Sequence, residues 1–416
     1  MRSVDEHLAQ CLAGVRPLPA IEVSLADSLD CLLAEDLVSA IELPGFDNSS
    51  MDGYAVVLSD VLTASAQSPV TLPVVADLPA GARDVLPLTQ GSTVRIMTGA
   101  PVPRGTSAVV PVEWTDAGTV RVRIDQAPRD GQNIRRVGED VVTGQPLVAA
   151  GTRLGARHLG LLAATGFDRV RVHPRPRVVV MSTGSELVEP GRRLASGQIY
   201  ESNSYALAAA VVQTGAIAYR APFVGDDPRA FVSALEDQLV RADAIITTGG
   251  VSAGAYDTVK EVLSRLGTVT FDKVAMQPGM PQGFGTLGDR RQGDGSVGVP
   301  IFTLPGNPVS SYVSFEVFVR PALRKMRGES DLHRPVLEAV ATTGWRSPPG
   351  KRQYARAVLS GAGGADGLTV APVGGQGSHL VADLSHANAL AVVPEHVTQV
   401  EQGDRVRCVL LEQARA

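Results

Sequence analysis

Hydrophobic and polar positions change rhythm several times along this chain, and each change marks a part of the fold. Ser3 and Glu6 form a capping-box pattern that opens a helix ending near Gly14. A second apolar-periodic stretch, Leu25 to Leu33, predicts another helix. From about Gly45 to Asp140 the pattern shortens to β-prone runs, Thr93 to Met97, Ala108 to Val112 and Val120 to Ile124, separated by Gly, Pro and Asp. Helical periodicity returns at Ala156 to Ala164 and is closed by Gly166. A small β domain is thus expected as an insertion in a helical N-terminal domain.

The segment VHPRPR, Val172 to Arg177, reads as a linker, and strands and helices alternate after it. Strands are expected at Val178 to Met181, Ile217 to Val224, Ala244 to Thr248, Val269 to Ala275 and Ile301 to Leu304. Between them lie helices at Tyr205 to Thr214, from Asp227-Pro228 onward, and up to Leu266, followed by one long helix from Pro308 to about Arg327. Such alternation predicts a mostly parallel sheet covered on both faces. The Gly-, Arg- and Asp-rich stretch Gly288 to Gly298 reads as an exposed loop. After Arg327 helices are expected to stop, and Val336 to Thr342, Tyr354 to Leu359, Leu368 to Val373, Ala389 to Val393 and Val406 to Leu411 make a C-terminal β domain with a hairpin signal at Asp366-Gly367.

Composition narrows the function classes. At 416 residues the chain has room for two to four domains. Its net charge of −5 provides no overall basic field for a nucleic acid or an anionic membrane. The longest apolar run, near Ala206 to Val212, is far short of a bilayer span, and the polar N-terminus has no signal-peptide pattern. Cys11, Cys31 and Cys408 are widely separated, so a reducing cytoplasm is expected, with neither a disulfide framework nor a thiolate zinc site. Only four basic residues are lysines, Lys260, Lys273, Lys325 and Lys351.

Ligands of open α/β sheets bind outside the carboxyl ends of the strands, so the loops there carry the candidate chemistry. They read Ser182-Thr183-Gly184-Ser185-Glu186, then Thr248-Gly249-Gly250-Val251-Ser252 leading to Asp257, and Pro305-Gly306-Asn307-Pro308-Val309-Ser310. One such loop alone is explained by a tight turn and a helix cap. Three at one sheet edge, two with Gly and hydroxyl residues before a helix, point to a phosphorylated ligand. Neither a P-loop nor a dinucleotide fingerprint occurs. Glu186, Asp226 and Asp257 follow strand ends of the same sheet, and carboxylates beside phosphates suit Mg²⁺. Asp227, directly before Pro228, takes the cap role and leaves Asp226 for the site. The seven histidines show no metal-binding spacing; only His379, beside Ser378, has a plausible pocket position.

PGFDNSSMDGYAV (Pro44 to Val56), RIMTGAPVP (Arg95 to Pro103), GQNIRRVGED (Gly131 to Asp140), VVVMSTGSEL, GQIYESNSYAL, TTGGVSAGAYD and TLPGNPVSSY resemble, in order, the molybdopterin molybdenumtransferase family, which comprises MoeA and the gephyrin E domain. The resemblance spans nearly the whole chain. It implies an N-terminal domain at 1–45 and 141–174, an inserted β domain at 46–140, a three-layer molybdopterin-binding α/β domain at 175–328 and a C-terminal β-barrel domain at 329–416. It implies a homodimer that converts adenylylated molybdopterin and molybdate, with Mg²⁺, to molybdenum cofactor and AMP, and as a further partner the adenylyltransferase that supplies the substrate.

By the same resemblance, Glu186, Asp226 and Asp257 hold Mg²⁺ and activate hydrolysis of the adenylate, with Asp52 and Lys273 as further catalytic residues. Thr183, Gly249, Gly250, Ser252, Pro305, Gly306, Asn307 and Ser310 cradle phosphates and pterin. Asp52, Thr98, Arg135 and Asp140 match positions that reach the partner subunit's pocket. Lys351, Arg352 and Ser378 match positions near the anion. The chain departs from the family pattern at Gln277-Pro278-Gly279-Met280-Pro281, where relatives carry one or two lysines, at Lys351, where Arg is usual, and at Ser185, where Asp is common. Two other readings stay open on sequence: the upstream molybdopterin adenylyltransferase, which resembles a lone α/β module, and a non-catalytic pterin-binding scaffold.

Overall fold

The computed structural model describes residues 1–250, 258–265, 267–292, 295–361 and 367–411. The chain divides into two units, one of Met1–Ile21, Asp30–Ala34 and Arg171–Ala416, the other of Glu22–Leu29 and Glu35–Val170.

In the first unit, α1 (Val4–Ala13) starts where Ser3 and Glu6 cap each other: Glu6 N–H donates to Ser3 Oγ at 3.1 Å and Ser3 N–H donates to Glu6 Oε2 at 2.8 Å. The sheet that follows has six strands, β1 (Arg177–Ser182), β2 (Ile217–Arg220), β3 (Ala244–Thr248), β4 (Val269–Lys273), β5 (Pro281–Gln292) and β6 (Gly295–Leu304), in the order β2-β1-β3-β6-β5-β4. Pairs β1–β2, β1–β3 and β3–β6 are parallel, whereas β5 runs antiparallel to both neighbours. The sheet is therefore mostly parallel with one reversed strand.

The unbroken apolar run Val178 to Met181 reflects burial on both faces. Val178, Val180, Ile246, Phe302 and Leu304 pack toward Phe315 and Phe318 on one side. Val179, Met181, Ile245 and Ile301 pack on the other toward Phe231 and Leu235 of α3 (Pro228–Leu239) and Val259 and Leu263 of α4 (Thr258–Arg265); α2 (Asn203–Gln213) contributes Leu207 and Val211 to the first face.

Several expectations need correction. Leu25 to Leu33 is not a helix. It holds a 3₁₀ turn at Ala26–Ser28, Asp30 then takes a left-handed φ of 66° that a helix cannot carry, and Leu32–Leu33 pairs with Val172 and His173 as a strand. The linker shrinks to Pro174–Pro176, since His173 closes one strand and Arg177 opens β1. Of the stretch Gly288 to Gly298, expected as a loop, residues 288–292 and 295–298 continue β5 and β6, which pair Leu287 with Val299 and Gln292 with Gly295; residues 293 and 294 lie outside the described residues. Backbone ladders need no apolar side chains once Leu287 and Val299 anchor them in the core. The long helix from Pro308 is interrupted by a π turn at Phe315–Val319 before resuming at Arg320–Met326. Pro321 has no N–H to give the preceding turn, and the wider turn absorbs that loss.

The C-terminal strands β7 (Val336–Ala341), β8 (Arg352–Ser360), β9 (Thr369–Pro372), β10 (Ala389–Val393) and β11 (Arg405–Leu410) close on themselves in the order β8-β9-β7-β11-β10-β8. Ala339, Ala355, Ala357, Ala389 and Ala391 fill the interior, where small side chains suit so narrow a barrel. One helix, Val381–His386, interrupts the expected run of strands, and Leu384 on it packs against the core beside the sheet. Tyr354, Leu390 and Leu411 join that same core, so barrel and sheet are packed together within this unit. Of the hairpin signal, Asp366 lies outside the described residues, and β8 and β9 pair antiparallel with Ser360 opposite Thr369.

The second unit contains a five-stranded sheet in the order Ala108–Pro111, Gly53–Val56, Thr93–Ile96, Val70–Leu78, Arg121–Ile124, with Tyr54, Val56, Val110, Val122 and Ile124 buried. Its helix Ala156–Ala164 has the expected limits.

Candidate active site

Because β1, β3 and β6 are parallel neighbours, their carboxyl ends open onto one edge, and a cavity of about 970 Å³ lies there. Thr183, Gly184 and Glu186 reach it from the β1 loop, Gly249 and Gly250 from the β3 loop, and Pro305, Gly306, Asn307 and Ser310 from the β6 loop. These loops are stitched by backbone hydrogen bonds, Thr183 N–H to Thr248 O at 2.9 Å and Gly249 N–H to Leu304 O at 3.2 Å. Gly249 has a φ of 100°, and a Cβ there would lie 2.4 Å from Thr183 O, so only glycine permits this approach.

Glu186 and Asp226 both line the cavity. Asp226 Oδ2 accepts from Ser185 N–H at 3.2 Å, and Asp226 N–H donates to Ser185 Oγ at 3.1 Å, a reciprocal pair that fixes the carboxylate beside the β1 loop. Asp227 caps α3 by accepting from Arg229 N–H at 3.1 Å, as expected. Among the described residues no group of three or more His, Cys, Asp or Glu is arranged to hold a metal. Two carboxylates beside glycine- and hydroxyl-lined loops have the hard oxygen donors that suit Mg²⁺, an ion that keeps several waters and needs few protein ligands. Asp257 and Ser252 lie outside the described residues.

Lys273, at the end of β4, and Lys260, on α4, also line the cavity, so two of the four lysines border it. Met280 lines it at the other end of the β4–β5 connection; Gln277 does not. The intervening Gly279 has a φ of 100° and leaves no space for a Cβ, which would sit 2.7 Å from Ser314 Oγ. Backbone pairing of Met276 and Gln277 with Arg352 and Gln353 ties this connection to the barrel.

The barrel brings His379 to the cavity wall, and Ser378 stands just behind, accepting from Asn307 Nδ2 at 2.9 Å through its Oγ and from Val309 N–H at 3.0 Å through its carbonyl. Buried Arg356 supports that loop by donating to Gly377 O at 2.9 Å. Lys351 and Arg352 are not among the lining residues. The Arg352 guanidinium is held by both carboxylate oxygens of Asp5 at 2.8 Å, which raises its pKa and lowers that of Asp5, and it also stands 3.0 Å from Glu395.

Asp52, Thr98, Arg135 and Asp140 belong to the second unit. Asp52 Oδ1 accepts from Thr98 N–H at 2.7 Å and Thr98 Oγ1 at 2.8 Å, which holds its exposed carboxyl below the usual range. Arg135 lies on a short strand, opposite Asn48, and Asp140 N–H donates to Leu43 O at 2.9 Å.

Glu201 and Asn203 also line the cavity from outside the three loops that the sequence singles out, whereas Thr248 lies in one of them. The sequence signal for Glu201 and Asn203 is their place in GQIYESNSYAL. Phe271 and Lys260 likewise line it from outside those loops.

A glycine- and hydroxyl-lined cavity at the ends of parallel strands, with acidic and ammonium side chains around it, defines an α/β domain for an anionic ligand, and residues 179–325 match the family described as a probable molybdopterin binding domain. Residues 2–166 match the MoeA N-terminal region, domains I and II, and residues 338–411 the MoeA C-terminal region, domain IV. Molybdopterin molybdenumtransferase 2 of Mycobacterium tuberculosis is 48% identical over 98% of this chain and 99% of its own. Molybdopterin molybdenumtransferase 1 of the same organism is 41% identical over 99% of this chain and 100% of its own. The crystal structure of the molybdopterin biosynthesis MoeA protein from Pyrococcus horikoshii superposes with a TM-score of 0.77 at 29% identity, covering 99% of each chain. The chain belongs to the MoeA family of molybdopterin molybdenumtransferases. The match runs through all three regions, unlike that expected of a lone adenylyltransferase module. Among the described residues no helix is long and apolar enough to cross a membrane, and Cys11, Cys31 and Cys408 are buried and form no disulfide.

Proposed function

We propose that this protein inserts molybdenum into adenylylated molybdopterin, consuming molybdate and releasing AMP. The observation that carries this reading is the convergence of the three phosphate-cradling loops with Glu186 and Asp226 on one cavity, in a chain that spans its molybdenumtransferase relatives from end to end. Thr183, Gly249, Gly250, Ser252, Pro305, Gly306, Asn307 and Ser310 hold the phosphates and pterin. Backbone N–H groups and hydroxyls supply fixed dipoles toward that negative charge.

Glu186 and Asp226, with Asp257, hold Mg²⁺, which supplies Lewis-acid polarisation of the phosphoanhydride when bound. Lys273 adds a positive charge at the cavity edge, where it neutralises the anionic substrate. Water cleaves the bond between the adenylyl phosphorus and the bridging oxygen, AMP leaves, and the dithiolene sulfurs replace molybdate oxygens that depart as water. Ser378, beside the cavity wall, supports the molybdate site, whereas Lys351 and Arg352, which match anion positions of the family, lie outside the cavity lining and act at most indirectly, Arg352 as a scaffold given its two carboxylate partners.

The working form is a homodimer in which Asp52, Thr98, Arg135 and Asp140 complete the other subunit's site, and the substrate is delivered by a molybdopterin adenylyltransferase. The four-part division at 45/46, 140/141, 174/175 and 328/329 belongs to the same reading, as does a cytoplasmic location, which agrees with three buried cysteines that form no disulfide. The decisive assay supplies purified protein with adenylylated molybdopterin and follows AMP release with and without molybdate and Mg²⁺. Release that depends on both supports the reading; binding with no AMP release under any condition overturns it.

A further inference from the structure

We infer that Glu201 is a positioning residue for the substrate cradle, acting through Asn203 on the loops after β3 and β6. This inference rests on the proposed function for its substrate and on the geometry for its mechanism.

Glu201 is 2% exposed and lies between the end of β1 and the start of α2. Its Oε1 accepts from Ser182 Oγ at 2.7 Å and from Ser204 N–H at 2.8 Å, and its Oε2 accepts from Ser204 Oγ at 2.6 Å. Arg220 Nη2 stands 3.5 Å from Oε2, while Arg220 Nε donates to Ser204 Oγ at 2.8 Å. The Arg220 guanidinium is itself stacked 3.4 Å over the Tyr205 ring and bonded to Glu189 at 3.3 Å. Every donor around the carboxylate is thus aimed at an acceptor, which is what a buried carboxylate requires.

Asn203 is clamped between these contacts. Its two amide protons go to Thr248 Oγ1 at 3.0 Å and Gly306 O at 2.7 Å. Thr248 Oγ1 in turn donates to Pro305 O at 3.0 Å and accepts from Ser311 Oγ at 3.1 Å. The loops after β1, β3 and β6 have no covalent link shorter than a helix, yet residues 201 to 204 join all three. A neutral amide at 201 cannot reproduce this pattern: a glutamine NH₂ would confront both the Arg220 guanidinium and the Ser204 hydroxyl proton. The consequence falls on the placement of Gly249 and Gly306 around the phosphates rather than on the reacting groups.

The test compares Glu201→Gln, Glu201→Asp, Asn203→Ala and the double variant Glu201→Gln/Asn203→Ala with wild type. KM for adenylylated molybdopterin, kcat for AMP release and equilibrium binding of AMP are measured for each. Glu201→Gln should raise KM about tenfold, the size of one or two lost hydrogen bonds to a charged group, with kcat changed less than about twofold. Glu201→Asp should recover part of the loss, and the double variant should bind no worse than Asn203→Ala. Unchanged KM in Glu201→Gln, or losses that multiply in the double variant, would overturn the inference. If Glu201→Gln fails to fold, Ser182→Ala removes one donor from the same carboxylate and should raise KM about threefold; an unchanged KM counts against the inference equally. Failure of the wild-type enzyme to release AMP instead refutes the proposed function, and AMP binding still reads the cradle independently.

Discussion

Asn307 donates a 2.9 Å hydrogen bond to Ser378, so the loop that ends the parallel sheet and a loop of the barrel meet at the cavity. The second bond between them, Val309 N–H to Ser378 O at 3.0 Å, survives any change of side chain at 378. Ser378→Ala should therefore cost about 1 kcal/mol of stability or less and leave the loop in place, yet raise KM for molybdate; Ser378→Thr should keep both near wild type. Thermal melts beside molybdate-dependent AMP release check this, and a Ser378→Ala enzyme with wild-type KM would remove the hydroxyl from anion binding.

Glu186→Gln and Asp226→Asn keep shape and lose charge. Each is expected to lower kcat on the order of a hundredfold and to shift half-saturation by Mg²⁺ to higher concentration, with EDTA abolishing turnover in wild type. Asp226→Asn should preserve the bond from Ser185 N–H, since the amide oxygen still accepts. Magnesium titrations of initial rate separate this outcome from a folding defect.

Met280 faces the cavity with a thioether that offers an oxyanion no charged donor. Met280→Lys should tighten molybdate by about five- to a hundredfold, as ~1–3 kcal/mol for a charge-assisted bond implies, and the gain should shrink with added salt. Lys351→Ala should matter less, because Lys351 is not among the lining residues. Calorimetric titration of molybdate into the three proteins decides it: equal affinity in wild type and Met280→Lys would show that the oxyanion is already saturated.

His7 on α1 is buried edge-on to Phe318 at 4.7 Å, with Nδ1 3.9 Å from Asp272 and Arg2 nearby. Burial pushes its pKa down from 6.5 to about 4 against the pull of Asp272. The unfolded chain then takes up a proton below about 6.5 that the folded chain refuses until about 4. Stability from a neutral His7 is full above pH 6.5 and is lost as pH falls to 4, by at most about 3 kcal/mol. His7→Leu should flatten the melting-temperature profile across that window; a profile as steep as wild type would place the effect elsewhere.

Much of the sheet domain was legible because its signals are local and covalent in origin. Asp227-Pro228 opens a helix at the expected residue, and Val178 to Met181 is buried on both sides. The site loops were legible for the same reason, since each follows a strand directly. What stayed hidden depends on distant partners. Glu201 reads as an ordinary surface carboxylate until Ser182, Ser204 and Arg220 close around it. Residues 288–292 and 295–298 have the composition of a loop and become strand because the two arms pair with each other. Arg352 matched an anion position, and its engagement by Asp5, 347 residues away, is invisible along the chain.

The reversal of β5 has a wider implication. In an all-parallel sheet, moving from one strand to the next at the same edge takes a long crossover. Here β4 ends and β5 begins at the cavity, so a short connection from Val274 to Met280 presents Lys273 and Met280 together. That connection is held by main-chain bonds, including Val274 N–H to Met280 O at 2.7 Å, which are indifferent to the side chains it carries. The fold thereby keeps a small interchangeable cassette beside a fixed frame: residues such as Met280 can be exchanged, altering the chemistry of that cavity wall, while the three glycine loops stay as they are.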